Sequence, residues 1–292
     1  MTSPAAAAPN AEQDVYWNDQ AGPKWVALQD RIDAQIRPLG ELIMDRAGLT
    51  AGERVLDVGC GCGDTTLALA RRVAPGGRVL GLDISIPMLA RAGQRLADER
   101  AAAVAGQVSF QRADAQTWAF DVGAFDVLFS RFGVMFFDDP RAAFTNLHGA
   151  LRRGGRLAFV CWQGVADNPW MLVPMAAALQ HLPPPPLAEP GAPGPFAFAD
   201  PEHVRAILGA AGFTAVGLEP VRMTLTVGGG RDLDQSVDFL LQMGPTARAL
   251  RDAPDPSVVP RVAAAVREVL LPYATPEGVQ MDSASWLVTA RA

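Results

Sequence analysis

The chain of 292 residues predicts an α/β fold: a mostly parallel sheet of seven strands, helices on both faces, and an inserted helical cap. Three observations carry this. Short apolar runs alternate with helical segments through the first 162 residues, a spacing that requires crossover connections between parallel strands. A glycine-rich turn, Gly59-Cys60-Gly61-Cys62-Gly63, follows the first run. Two further apolar runs return late, after the alternation has ended.

Arg54–Val58 reads as a buried strand and Asp64–Ala74 as the helix after the glycine turn, broken by Pro75-Gly76-Gly77. Arg78–Asp83 is the second strand. Ser85 has the chemistry of an N-cap, with Pro87 in the first turn of a helix running towards Val104. Val108–Ala113 and Phe125–Ser130 are the third and fourth strands. Asp139-Pro140 opens a helix through Leu151, and Arg156–Trp162 is the fifth strand. Residues 183–195 contain seven prolines, which predicts an extended connector. Asp200-Pro201 restarts a helix, closed by Gly212. Phe213–Val227 is the sixth strand, amphipathic helices cover about 232–251 and 257–271, and Ser285–Ala290 returns to the sheet. The expected organisation is a disordered tail over 1–14 and one domain over 15–292. Its core spans about 40–162, 200–230 and 284–292, and its cap about 163–199 and 231–283.

Hydrophobic residues make up 49% of the chain and charged residues 19%, the composition of a globular protein. A net charge of −6 argues against a nucleic-acid partner, which needs a basic face. No 18-residue apolar stretch occurs, so no membrane insertion is expected, and the N-terminus lacks the basic and apolar regions of a signal peptide. A cytoplasmic protein is the expectation. Cys60, Cys62 and Cys161 fit neither a disulfide framework nor a zinc site, so no metal is expected.

The glycine turn narrows the ligand. Gly59 and Gly61 suit a dinucleotide fingerprint, but the third glycine position is Asp64, whose carboxylate would repel a pyrophosphate on that helix N-terminus. A phosphate loop fails as well, for want of Gly-Lys-Ser/Thr. A nucleoside without phosphates, carrying a cationic sulfonium and ammonium, tolerates nearby carboxylates. The stretch Asp57-Val58-Gly59-Cys60-Gly61-Cys62-Gly63 resembles the glycine motif of class I S-adenosylmethionine-dependent methyltransferases, and the chain looks most like the branch of ubiquinone/menaquinone and natural-product methyltransferases.

That resemblance implies a Rossmann-like core with S-adenosylmethionine as cofactor. It places Gly59, Gly61 and Gly63 under the cofactor. Asp83 goes to the ribose and Asp114 to the adenine, with Ile84, Met88 and Ala115 also at the cofactor. Ser130 and Arg131 go to the methionine end. Asp57 either binds the ammonium or holds the loop through backbone N–H groups, and Arg131 is either a carboxylate partner or a solvated arginine. Leu151–Phe159 is similar to the family's turn into strand five.

Methyl transfer by in-line displacement needs alignment and exclusion of water, plus a base where the acceptor must lose a proton. Tyr16 and His148 are the weak candidates for that base, and His181 and His203 are expected to face solvent. Phe132, Met135, Phe136, Trp162 and Trp170 follow strands four and five. They suggest a pocket for a small hydrophobic or aromatic methyl acceptor, or else packing of the cap on the sheet. Phe239, Leu240, Leu241 and Met243 would form a lid. The alternatives are an NAD(P)-dependent oxidoreductase and a non-catalytic cofactor-binding protein on the same fold. An arsenite methyltransferase would want several converging thiols, and only Cys161 is placed for it. Composition does not select an oligomeric state.

Overall fold

The computed structural model describes residues 8–99, 107–183, 191–230, 232–251, 253 and 255–292. In chain order, a five-residue helix α1 (Ala11–Val15) leads through a π-helical turn, Tyr16–Gln20, into the 27-residue α2 (Ala21–Ala47). Then follow β1 (Arg54–Val58), α3 (Asp64–Val73), β2 (Arg78–Asp83), α4 (Ile86–Glu99), β3 (Val108–Arg112) and β4 (Phe125–Arg131). Next come α5 (Pro140–Ala150), β5 (Leu151–Trp162), α6 (Pro169–Ala178), α7 (Pro201–Ala210) and β6 (Thr214–Thr226). The chain ends with α8 (Leu233–Gln242), α9 (Gly244–Arg251), α10 (Val259–Leu270), β7 (Ala274–Thr275) and β8 (Gly278–Arg291).

The sheet runs β3-β2-β1-β4-β5-β8-β6, with the two-residue β7 paired to β8 off that path. Strands β1 to β5 are parallel; β8 lies antiparallel between β5 and β6. The expected α/β class, with a mostly parallel Rossmann-like sheet, is what the chain adopts. Its strand order reverses between β1 and β4, so the crevice of this open sheet opens at their carboxyl ends.

One helical group (α2, α3, α4) and a second (α5, α7) pack against the sheet. Phe129, Phe144 and Phe159 are fully buried between them, each worth roughly 1.5–3 kcal/mol of burial. Helices α6, α8, α9 and α10 pack on one another to form the cap.

Several boundaries differ from expectation. Of the expected tail, residues 8–14 are described; they include most of α1 and Asn10, which is buried and bonded to Asp114 and Gln116 after β3 and to Asp138 after β4. Helix α2 packs on β5 and α4, so the core begins near residue 21 and not 40. Strand β8 begins at Gly278, which gives 278–283 to the sheet and not the cap. The fourth helix is assigned to Glu99, and its expected continuation over 100–104 lies outside the described residues, as does the proline-rich stretch 184–190.

Asn168 joins the cap to the sheet. Wholly buried at the start of α6, its amide donates to the carbonyls of Gln163, Gly164 and Ala284 at 3.0–3.2 Å, and its Oδ1 accepts from the Ala284 N–H at 2.9 Å. Removing the amide leaves buried backbone groups unpaired. Asn168→Ala should therefore lower unfolding free energy by about 2–4 kcal/mol in urea titration; a loss under about 0.5 kcal/mol would show that the tie is dispensable.

Candidate active site

The crevice holds a cavity of about 1450 Å³, larger than the ~300–1,000 Å³ that one small ligand ordinarily needs. Its floor is the turn after β1. Gly59 and Gly61 adopt φ of 68° and 54°, the left-handed region that glycine enters freely. A Cβ on Gly59 would stand 2.6 Å from the Cα of Gly133, so two main chains touch here, one after β1 and one after β4. Asp83, at the end of β2, fixes the turn: Oδ2 accepts from the Gly61 N–H at 2.7 Å and Oδ1 from the Ser85 N–H at 2.9 Å. Burial raises its carboxyl above the ordinary range, against the pull of those N–H groups.

Of the residues expected at a cofactor, Gly59, Gly61, Asp83, Ile84, Met88, Asp114, Ala115 and Arg131 border the cavity. Asp57, Gly63 and Ser130 do not. Gly63 faces Phe110 and Ala92, where a Cβ would be crowded. The Ser130 hydroxyl donates to the Val58 carbonyl at 2.7 Å and accepts from the Gly133 N–H at 3.1 Å, tying the two main chains together. Asp57 is wholly buried beneath the turn, and the hydroxyls of Thr65 and Thr66 donate to its Oδ2 at 2.7 Å each. It thus holds the first turn of α3 through side chains and not through backbone N–H groups. Its Oδ1 has no partner among the described residues.

Arg131 is neither solvated nor free. Its guanidinium reaches Asp64 at 2.9 Å and Asp33 at 3.0 Å, and its side chain is 9% exposed. Arg95 pairs with the same two acids, and Arg37 with Asp64. Despite desolvation, the charge of Arg131, the hydrogen bond and charge of Arg37 and the charge of Arg95 bring the Asp64 carboxyl below its ordinary range. The carboxylate expected to repel a pyrophosphate is therefore ion-paired, which removes most of that repulsion.

The second half of the cavity is aromatic. Phe132, Met135, Phe136, Trp162 and Trp170 all border it. Phe132 takes φ of 62° and stacks on Trp162 with centroids 4.1 Å apart, and Trp162 meets Trp170 at 5.4 Å. A phenylalanine in the left-handed region is strained, and that strain puts its ring against the wall. Phe239 and Met243 border the cavity from the cap; Leu240 and Leu241 do not.

The N-terminal segment forms the roof, which the sequence reading largely missed. The Asn10 amide donates to both oxygens of Asp114 at 3.0 Å, and its backbone N–H to Asp138 at 2.6 Å. Asn18 accepts from the Ile86 N–H at 2.8 Å and so caps α4. Ser85, expected as that cap, instead donates its hydroxyl to the Trp17 carbonyl at 2.8 Å. Tyr16 borders the cavity. His148 does not: it lies on α5 with its ring edge-on to Phe213 at 4.9 Å, and its place as a candidate base is withdrawn. His181 and His203 are exposed, and neither borders the cavity.

Burial pushes the Asp57 carboxyl up to about 6, above the ordinary value of about 3.9. The native state then holds a proton that the unfolded chain has shed. On this account stability is greatest below about pH 4 and falls as pH rises through 6. Asp57→Asn removes that fall. Between pH 4.5 and 7.5 its urea midpoint should rise relative to wild type, by a stability difference on the order of 2–3 kcal/mol; parallel pH profiles would refute it.

A family model described as a methyltransferase domain matches residues 55–155. The chain is 32% identical over 218 residues to the nocamycin O-methyltransferase of Saccharothrix syringae, covering 73% of this chain and 72% of that one. It is 33% identical over 162 residues to the aklanonic acid methyltransferase of a Streptomyces species, covering 53% and 71%. With the demethylmenaquinone methyltransferase of Lactiplantibacillus plantarum it shares 36% over 114 residues, spanning about half (47%) of that relative. Among solved structures, the YcgJ protein of Bacillus subtilis superposes with a TM-score of 0.57 at 17% identity, over 86% of this chain and 97% of that one. A Haemonchus contortus phosphoethanolamine N-methyltransferase bound to S-adenosylhomocysteine gives 0.53 at 19%, over 87% and 52%. These two are similar in fold. With the glycine turn and its acids set at the carboxyl ends of β1, β2 and β3, and with relatives matched over more than two thirds of their length, the chain belongs to the S-adenosylmethionine-dependent methyltransferase family.

Proposed function

We propose that the protein transfers a methyl group to a small hydrophobic or aromatic molecule. The observation that carries this is the continuity of one cavity from the glycine turn to the aromatic wall of Phe132, Trp162 and Trp170. Nocamycin and aklanonic acid, in the names of two relatives, support a natural-product acceptor, and the demethylmenaquinone enzyme supports a quinone-like one.

The residues at the turn fit the cofactor. The side-chain-free faces of Gly59 and Gly61 leave room along the backbone, where a Cβ on Gly61 would collide with Met88. Asp83 keeps lone pairs on both oxygens beyond its two backbone bonds, enough to accept from a pair of ribose hydroxyls. Asp114 stands where an adenine amino group would donate, a place that the Asn10 amide fills here. When bound, S-adenosylmethionine supplies a methyl already activated by its sulfonium. This chain aligns the acceptor on the aromatic wall and excludes water through the roof and cap.

Titration calorimetry with S-adenosylhomocysteine should give a dissociation constant of micromolar order, and Asp83→Ala should weaken it at least tenfold. Unchanged affinity would remove Asp83 from the site. His148→Ala should leave that affinity within about twofold, since the ring lies outside the cavity. Incubation with methyl-labelled cofactor and a metabolite extract, read by mass spectrometry, should label an apolar small molecule; no transfer would favour the non-catalytic reading.

A further inference from the structure

We infer that the acceptor is an anion, an aromatic or apolar molecule with an ionised oxygen group, and that Arg248 of the cap recognises it; this rests on the methyltransferase reading. The charges that border the cavity differ between its floor and its cap, and Lys24 of α2 borders it as well. At the turn, its acids are engaged: Asp33 and Asp64 by arginines, Asp83 by backbone N–H groups, Asp114 and Asp138 by Asn10. Glu12 and Asp19 stand exposed on the N-terminal segment. From the cap, by contrast, α9 presents two cations to the cavity one helical turn apart, Arg248 and Arg251.

The two differ in what holds them. Arg251 lies over the Tyr16 ring at 5.9 Å, joining cap to roof. Arg248 makes no ion pair or hydrogen bond among the described residues, though it borders the cavity. The face of α9 opposite is fixed by burial of Thr246 and Ala249, so the helix holds Arg248 towards the opening. A planar guanidinium with five donors and no partner among the described residues, in the same cavity as a wall of stacked rings, is suited to a carboxylate, enolate or phenolate on a flat scaffold.

The chemistry of the lining agrees. Among the described residues no histidine borders the cavity, burial drives the thiols of Cys60 and Cys62 upward, the latter to about 12, and Tyr16, the remaining candidate base, is covered by Arg251. A nucleophile that arrives ionised gives up no proton, so the wall need not supply a base tuned near neutrality. A neutral alcohol or amine would need one.

The test uses a matched pair of probes, 2-naphthoate and 2-naphthamide, titrated into the full-length protein by calorimetry at low salt. The two share ring and shape and differ in charge. Wild type should bind the naphthoate about tenfold more tightly or better. Arg248→Gln should bring the naphthoate down to the amide's affinity and leave the amide unchanged, while Arg248→Lys keeps part of the preference. Arg248 is exposed, so neither variant threatens folding, and melting curves verify that. Equal binding of the two probes to wild type, or a preference that survives Arg248→Gln, would overturn the inference. Because the preference is read without cofactor, S-adenosylhomocysteine titrated alone into the same preparations tests the methyltransferase reading separately.

Discussion

The architecture depends on one close approach, the main chain of Gly59 against that of Gly133. These residues follow β1 and β4, the two strands between which the sheet order reverses. Any side chain at either position would push the turns apart and open the floor of the crevice. Ser130 ties them together, and Asp83 and Asp57 hold the rest of the first turn. Ser130 bridges the Val58 carbonyl and the Gly133 N–H, Asp83 draws in the Gly61 N–H, and Asp57 anchors the threonines that begin α3. Asp57 and Ser130 thus shape the turn from beneath without bordering the cavity, whereas Asp83 both fixes the turn and borders it.

Charge around the floor is arranged by α2. Its buried side carries Gln29, Asp33 and Gln35, with exposures of only 2–3%. Gln29 accepts from Arg91, Asp33 pairs with Arg95 and Arg131, and Gln35 accepts from the Gly228 N–H. Gly40 gives Arg131 its room, since a Cβ there would meet the arginine Cδ at 3.0 Å. Buried ion pairs contribute little net stability but are costly to break from one side, so this network fixes geometry more than it stabilises. Asp64 lies inside it. The exclusion of diphosphates by a bare carboxylate does not survive this finding; the relatives now carry the cofactor assignment, and the acids of β2 and β3 agree with it.

Strands β1, β2 and β4 were legible because each is a short, largely apolar run bounded by glycine or aspartate, and the helix starts at Asp139-Pro140 and Asp200-Pro201 were legible as caps. The acids at the strand ends were legible too, by their spacing from the glycines. Helix α2 was not, because polar residues on its inner side interrupt the apolar period and Pro38 sits inside it. The roof was hidden for a related reason. Asn10 follows an alanine- and proline-rich stretch, and its importance lies entirely in partners more than a hundred positions away. Early β8 was obscured by Asp282 and Ser283, whose oxygens bond to the neighbouring β6.

The N-terminal segment couples the two halves of the cavity. Asn10 and Asn18 bond it to residues after β2, β3 and β4. Beside Asn18 in the same turn, Trp17 meets Phe136 edge-on at 5.1 Å, and Tyr16 lies under Arg251 of the cap. A group that displaces the Asn10 amide from Asp114 therefore acts on the same segment that places Trp17 and Tyr16 over the aromatic wall. Helix α1 (Ala11–Val15) links Asn10 to the π-helical turn Tyr16–Gln20, which itself carries Tyr16, Trp17 and Asn18. The contacts to the floor and the contacts over the aromatic wall are thus carried by one short segment, so the geometry of one is tied to that of the other.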